Sequence, residues 1–170
     1  MARFWKLLLM MVTLIMIDQF SKGAVQSTMA LHDSIPVIDG FFSITYVRNP
    51  GAAFGFLADG HEWVRKFMFL LLPVIFCGWI FVLLCKTLKG PFYLSLAYAL
   101  ILAGAVGNLI DRFSLGYVVD FLDFYANGFH FWTFNVADSC ITVAAVLLIW
   151  DFIVQLKEKK QQKTDAPHSP

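Results

Sequence analysis

Three apolar runs decide what this chain can fold into. Residues 67–85 read FMFLLLPVIFCGWIFVLLC without one charge, and residues 91–110 read PFYLSLAYALILAGAVGNLI. Residues 136–156 are similar, with Asp138 near the start and Asp151 near the end. A hydrocarbon core about 30 Å thick takes about 20 apolar residues of helix to cross. Inside it every backbone polar group must be satisfied within the segment. Each run therefore predicts a membrane-spanning helix. Composition agrees, with 59% of the 170 residues hydrophobic and 15% charged, against about 45–50% and about 25% in soluble domains. The length suits one compact bundle and leaves no room for a second domain.

A fourth span is expected over residues 4–25, FWKLLLMMVTLIMIDQFSKGAV, although its uninterrupted apolar run covers only Leu7 to Ile17. A run of that length after Arg3 and Lys6 also fits a secretory signal peptide. Against that, Thr28 and Ala30 make a poor small-x-small cleavage site, and Asp18 and Lys22 would lie ahead of it. Arg3, Lys6, Lys86, Lys89, Lys157, Lys159, Lys160 and Lys163 fall in the termini and in the short connection between the second and third spans. By the positive-inside rule those segments are cytoplasmic. Segments 26–66 and 111–135 then face the other side. The tail KEKKQQKTDAPHSP, residues 157–170, is polar, contains proline and is expected to be disordered.

Segment 36–58 has a different period. Phe42, Ile44 and Tyr46 alternate with Ser43 and Thr45, which predicts a strand. Asn49-Pro50-Gly51 punctuates it as a turn, and Phe54 and Phe56 suggest a second short strand. The fold class expected is an all-α integral membrane protein of four helices with a small extracytoplasmic β element.

Ionisable and amide groups inside such a chain are expensive and point to function by default. Asp18 and Lys22 share a helix face and read most simply as an ion pair. Asn108, Asp111 and Arg112 lie on one face at the outer end of the third span. Gly104 and Gly107 read as close-packing positions between helices. Cys77, Cys85 and Cys140 lie in apolar runs with no CxxC pair, and His32, His61, His130 and His168 have no ligand spacing. Neither a disulfide framework nor a metal site is expected. Asp138 sits at a helix start, where a carboxylate caps and meets the dipole. Asp120, in YVVDFL, has neither a cap pattern nor a neighbouring base. Segment 111–135, read as a loop, is long enough to bring Asp120 over Asp138. Two carboxylates held close in a partly dry place share a proton, which suits peptide hydrolysis. An outer-face proton-coupled transporter would use the same residues, and the spacing alone leaves both open.

The runs DQFSK at 18–22, RNPGAAFG at 48–55, GNLIDR at 107–112, VVDF at 118–121 and FNVADS at 134–139 occur in one order. In these the chain resembles the bacterial lipoprotein signal peptidases, signal peptidase II, over residues 3–156. The resemblance removes the signal-peptide reading of the first segment. It implies an aspartic endopeptidase of the bacterial inner membrane that cuts the signal peptide from prolipoproteins just before a diacylglyceryl-modified cysteine. It makes Asp120 and Asp138 the catalytic pair. Asn49, Gly104, Asn108, Arg112 and Asn135 would line or organise the pocket, and Asp18, Lys22 and Asp111 would hold helices and loop together. Pro50 stands where family members vary. No cofactor and no nucleic-acid partner is expected, membrane lipids are expected neighbours, and the protein is expected to act as a monomer with both termini cytoplasmic. Gating by segment 41–57, with Phe54 and Phe56 over the substrate, is a further expectation.

Overall fold

The computed structural model describes residues 1–51, 63–64 and 67–164. Ala52, Ala53, Phe54 and Phe56, with the second short strand expected there, lie outside the described residues, as does the part of the expected gate after Gly51.

Four helices, each long and apolar enough to cross a membrane, make up most of the described chain. They are α1 (Ala2–Thr28), α2 (Leu72–Thr87, which spans as Phe67–Thr87 together with the turn before it), α3 (Phe92–Ser114) and α4 (Val136–Thr164). A π-helical turn, Phe67–Leu71, leads into α2. Pro73 in the first turn of α2 supplies the reason: it has no N–H to give and its ring crowds the carbonyl four residues back, so the preceding turn widens. α4 continues past Leu156 into the tail expected to be disordered. Lys157, Glu158, Lys159 and Lys160 are good helix formers and simply extend it.

α3 is the hub. Its most apolar stretch is 61% buried, against 11% in each of the other three helices. Ser95, Ala97, Ala99, Ala103, Gly104 and Gly107 are buried along it, and small residues let helix backbones approach where no hydrophobic force between helices exists. Gly104 shows how closely: a Cβ there would run into the Ala137 carbonyl oxygen of α4 and the Ile141 side chain. The Gly104→Ala variant is expected to push α4 outward and destabilise the bundle by about 1–3 kcal/mol. An unchanged unfolding midpoint in detergent would contradict this.

Arg3 ties the N-terminus to the α2–α3 connection, with Nη1 donating to the carbonyls of Leu88 and Gly90, both at 2.7 Å. That brings the basic residues of the first turn of α1 to the same end of the bundle as Lys86 and Lys89. The opposite end carries an antiparallel sheet of order β1-β2-β3-β4. Its strands are β1 (Ser34–Ile38), β2 (Phe42–Asn49), β3 (Val118–Ala126) and β4 (Phe129–His130).

The strand expected around Phe42 to Tyr46 is the first part of β2. The segment around Asp120, read as a loop, is instead β3, with Val47 paired to Asp120 and Ser43 to Asp123. Val118, Val119, Phe121, Phe124 and Tyr125 favour a strand. Asn127-Gly128 closes the β3–β4 hairpin, with φ positive at both residues, 51° and 77°, as a two-residue hairpin turn requires. Burial on both faces from Val118 to Phe121 leaves no alternation along it, which hid this strand. Asp120 and Asp123, three residues apart, fall on opposite faces of it.

Candidate active site

The site forms where the sheet meets the ends of α1, α3 and α4. It begins with Asn135, the residue before α4. Its Oδ1 accepts the backbone N–H of Asp138 at 2.9 Å, so it caps the helix in the usual way. Its Nδ2 donates to Asp120 Oδ1 at 2.7 Å and to Asn108 Oδ1 at 3.2 Å. One fully buried amide therefore holds the strand carboxylate with one end and the helix carrying the second carboxylate with the other.

Asp120 is 2% exposed. Its other oxygen, Oδ2, accepts Asn49 Nδ2 at 3.1 Å. Asn49 in turn takes the Gly51 N–H on its Oδ1 at 3.0 Å, which turns the chain at the end of β2. Gly51 has φ +89° there, a region glycine reaches without strain. Asp138 is half-buried in the first turn of α4 and accepts Asn108 Nδ2 at 2.7 Å. Burial first, and the Asp138 charge second, raise the proton affinity of Asp120 to about 6, against the opposing pull of Asn49 and Asn135.

Beneath this lies a buried ionic knot. Lys22 Nζ donates to Asp18 Oδ2 at 2.8 Å, Asp111 Oδ2 at 3.0 Å and Asn108 Oδ1 at 3.0 Å. All three ammonium protons are thus used. Asp18 Oδ1 accepts the Ala137 N–H at 2.8 Å, one of the free donors of the α4 N-terminus. Asp111 Oδ2 accepts the Val119 N–H at 3.1 Å, one residue before Asp120. The simple pair expected of Asp18 and Lys22 is therefore one edge of a cluster that fixes β3 and α4 relative to α1 and α3. Gly107 packs here too, since a Cβ on it would lie 2.8 Å from Asp18 Oδ2.

Gln19 is a member of the site that the sequence reading does not single out. Its Nε2 reaches Asp111 Oδ1 at 2.9 Å and the Gly107 carbonyl at 3.1 Å. An amide beside Asp18 in an apolar helix is the available signal. Arg112 reaches the Asn108 carbonyl through Nη1 at 3.3 Å and lies 6.0 Å from the Phe69 ring. Its buried Nε has no hydrogen-bond partner among the described residues.

A cleft of about 750 Å³ opens over the pair, lined by Asn49, Pro50, Asp120, Asp138 and the segment from Phe129 to Phe134. Among the described residues no group of three or more His, Cys, Asp or Glu is arranged to hold a metal ion. Asp123 stays outside this arrangement, with Thr45 Oγ1 at 3.0 Å and His130 Nδ1 at 3.0 Å on its carboxylate.

Fold and site together define a multi-pass membrane protein with a preorganised acidic cleft at one end of its bundle. The chain matches the family model described as signal peptidase (SPase) II over residues 10–154, and it belongs to that family. It is 45% identical over 156 residues to the lipoprotein signal peptidase of Syntrophus aciditrophicus, covering 90% of this chain and 97% of the relative. To that of Desulforapulum autotrophicum it is 47% identical over 148 residues, covering 87% and 91%. A bacterial membrane enzyme solved by the in meso method at 2.3 Å superposes with a TM-score of 0.72 at 32% identity, covering 97% of this chain and 93% of that one.

Proposed function

We propose that the protein is an aspartic endopeptidase that removes the signal peptide from prolipoproteins, cutting before a diacylglyceryl-modified cysteine, with Asp120 and Asp138 as its catalytic pair. The observation that carries this reading is the clamp of Asn135, which holds Asp120 by its side chain and the Asp138 backbone by its cap. Nothing in a bundle of four lipid-facing helices needs two carboxylates aimed into one cleft for stability. Such pairs are costly unless they share a proton.

The chemistry follows from that shared proton. The ionised carboxylate removes a proton from water as its oxygen attacks the scissile carbonyl carbon. The protonated carboxyl gives its proton to the carbonyl oxygen. When the resulting diol collapses, the C–N bond breaks and the departing amine of the cysteine takes a proton from the pair. Side-chain amides of Asn49, Asn108 and Asn135 keep each carboxylate in place throughout, which limits reorganisation during the step.

The substrate is amphiphilic, so its signal helix and acyl chains stay in lipid while the scissile bond lies near the surface. A site at the ends of the helices can take it in laterally. The basic termini and the α2–α3 connection at the other end support cytoplasmic termini and an outward-facing site. Both carboxylates and all their clamps come from one chain, which supports action as a monomer among membrane lipids.

The pH dependence has a definite sign. Below about 6 Asp120 keeps its proton beside the Asp138 carboxylate and the pair contains an acid; above it Asp120 ionises and that acid is lost. The kcat/KM of detergent-purified protein is expected to fall on the alkaline side, with a midpoint near 6 that belongs to the pair. A flat profile between about pH 5 and 8 would refute the shared proton. Stability moves the same way. Between about pH 4 and 6 the folded state keeps a proton that the unfolded chain has lost, so stability falls as pH rises through that window.

A further inference from the structure

The two outer strands of the sheet differ in how they present their free edges. β1 carries Pro36, which has no N–H, and its register slips between Pro36 and Ile38. Both are devices that keep another strand from pairing. β4 has neither. Its hairpin pairs Tyr125 with His130 and Ala126 with Phe129, and the Phe131 N–H donates to the Phe124 carbonyl at 2.8 Å. Hydrogen-bonded pairs alternate along an antiparallel ladder. Phe131–Phe124 and Ala126–Phe129 are therefore bonded pairs and Tyr125–His130 is not. The Tyr125 N–H confirms the phase by turning the other way, to the Phe41 carbonyl at 2.9 Å. The N–H and C=O of His130 consequently point out of the sheet, and neither has a backbone partner among the described residues.

This open edge borders the same cleft as Asp120 and Asp138. It is also held rigidly from behind. His130 Nδ1 contacts the buried Asp123 carboxylate, its ring stacks on Tyr125 at 4.9 Å, and Asp123 is tied in turn to Thr45 of β2.

We propose that the β4 edge at His130 is a docking strand for the substrate polypeptide, which adds to the sheet as an extended segment through the N–H and C=O of His130. The proposal rests on the peptidase reading above. The bound segment is the mature side, after the lipidated cysteine. The signal side enters hydrocarbon as a helix, where its backbone groups are already paired with one another. Only the aqueous side is free to extend, and strand addition is a general mode of peptide capture. His130 lies opposite Tyr125, so a rise of about 3.3 Å per residue along β3 puts it about 17 Å from Asp120. The paired residue is then roughly four to six positions beyond the cysteine. Phe129 and Phe131, which are exposed and in edge contact at 5.5 Å, offer an apolar wall to its neighbours.

The test is a series of synthetic diacylglyceryl lipopeptides, each N-methylated at one amide after the cysteine, cleaved by the wild-type protein. One amide in that window is expected to raise KM about tenfold with kcat kept, and its immediate neighbours less than about twofold. Tolerance of methylation at every position, or an equal loss at all of them, would overturn the docking strand. If the unmethylated lipopeptide were itself left intact, the peptidase reading would fail. Displacement of that lipopeptide by the methylated series would then still read the pairing, with the same single-site pattern for it and uniform displacement against it.

Discussion

Asp120→Asn and Asp138→Asn, each alone, are expected to lower cleavage of a diacylglyceryl-modified prolipoprotein by about 10²–10⁴-fold. Neither change alters size or shape, so the loss reads the proton and not the packing. The Asp120→Asn side chain offers no acid, and its single oxygen can accept from only one of Asn49 and Asn135, leaving an NH₂ facing the other. The Asp138→Asn change leaves the backbone N–H at that position on Asn135 Oδ1, so α4 retains its cap. The two variants are expected to be non-additive, because a pair that works as a unit is lost once either member is lost. The double variant should therefore be no slower than the worse single one. Single-turnover cleavage by purified protein in detergent measures this. Unaltered cleavage in either variant would remove that aspartate from the chemistry. Asp123→Asn is the informative contrast in kcat: Asp123 lies on the other face of β3 and backs His130, so its change is expected to act on KM and not on the chemical step.

The parts of the fold that lipid dictates are legible in the sequence. A bilayer demands length and apolarity together, and residues 67–85, 91–110 and 136–156 meet both without reference to any partner. The sheet is half legible. β2 alternates cleanly, whereas β3 is buried on both faces at Val118, Val119, Asp120 and Phe121 and so shows no period of two. Asn127-Gly128 is the sign of its hairpin, a local signal that neither span length nor the carboxylates carry. Of the site, the two carboxylates stand out on cost alone, because charge in apolar company has to be explained. The amides do not. Asn108 and Asn135 show only as polar groups at span ends and Asn49 only as a turn residue, and the resemblance alone gives them a place at the pocket. That Asn135 caps a helix and clamps a strand at once is a property of two elements meeting, which spacing along the chain does not encode. The same holds for Gln19, whose partners lie on α3, far away in sequence.

Lys22→Met is expected to be the most destabilising single change in the membrane domain. Lys22 is 2% exposed, and its ammonium is the cation that Asp18 and Asp111 share. Methionine keeps most of the apolar stem and removes the charge, leaving two carboxylates facing each other in a dry place. Breaking a buried ionic group from one side costs about 3–5 kcal/mol, because the remaining charge is uncompensated. For a chain of this size that lowers the unfolding midpoint by roughly 6–20 °C. Lys22→Arg is not a mild alternative, since a planar fork cannot reproduce three donors converging from one nitrogen. The damage should reach the chemistry as well. Asn108 loses the nearer of the two donors on its Oδ1 and keeps only Asn135, which loosens the amide that holds Asp138. The folded fraction of Lys22→Met is therefore expected to cleave slowly even where thermal unfolding is negligible. A second change separates charge from geometry: Asp111→Asn added to Lys22→Met removes one of the stranded carboxylates and should recover part of the lost stability, a coupling that independent sites would not show. A midpoint unmoved by Lys22→Met, or no recovery in the double variant, would mean that the knot holds the helices by shape and not by charge.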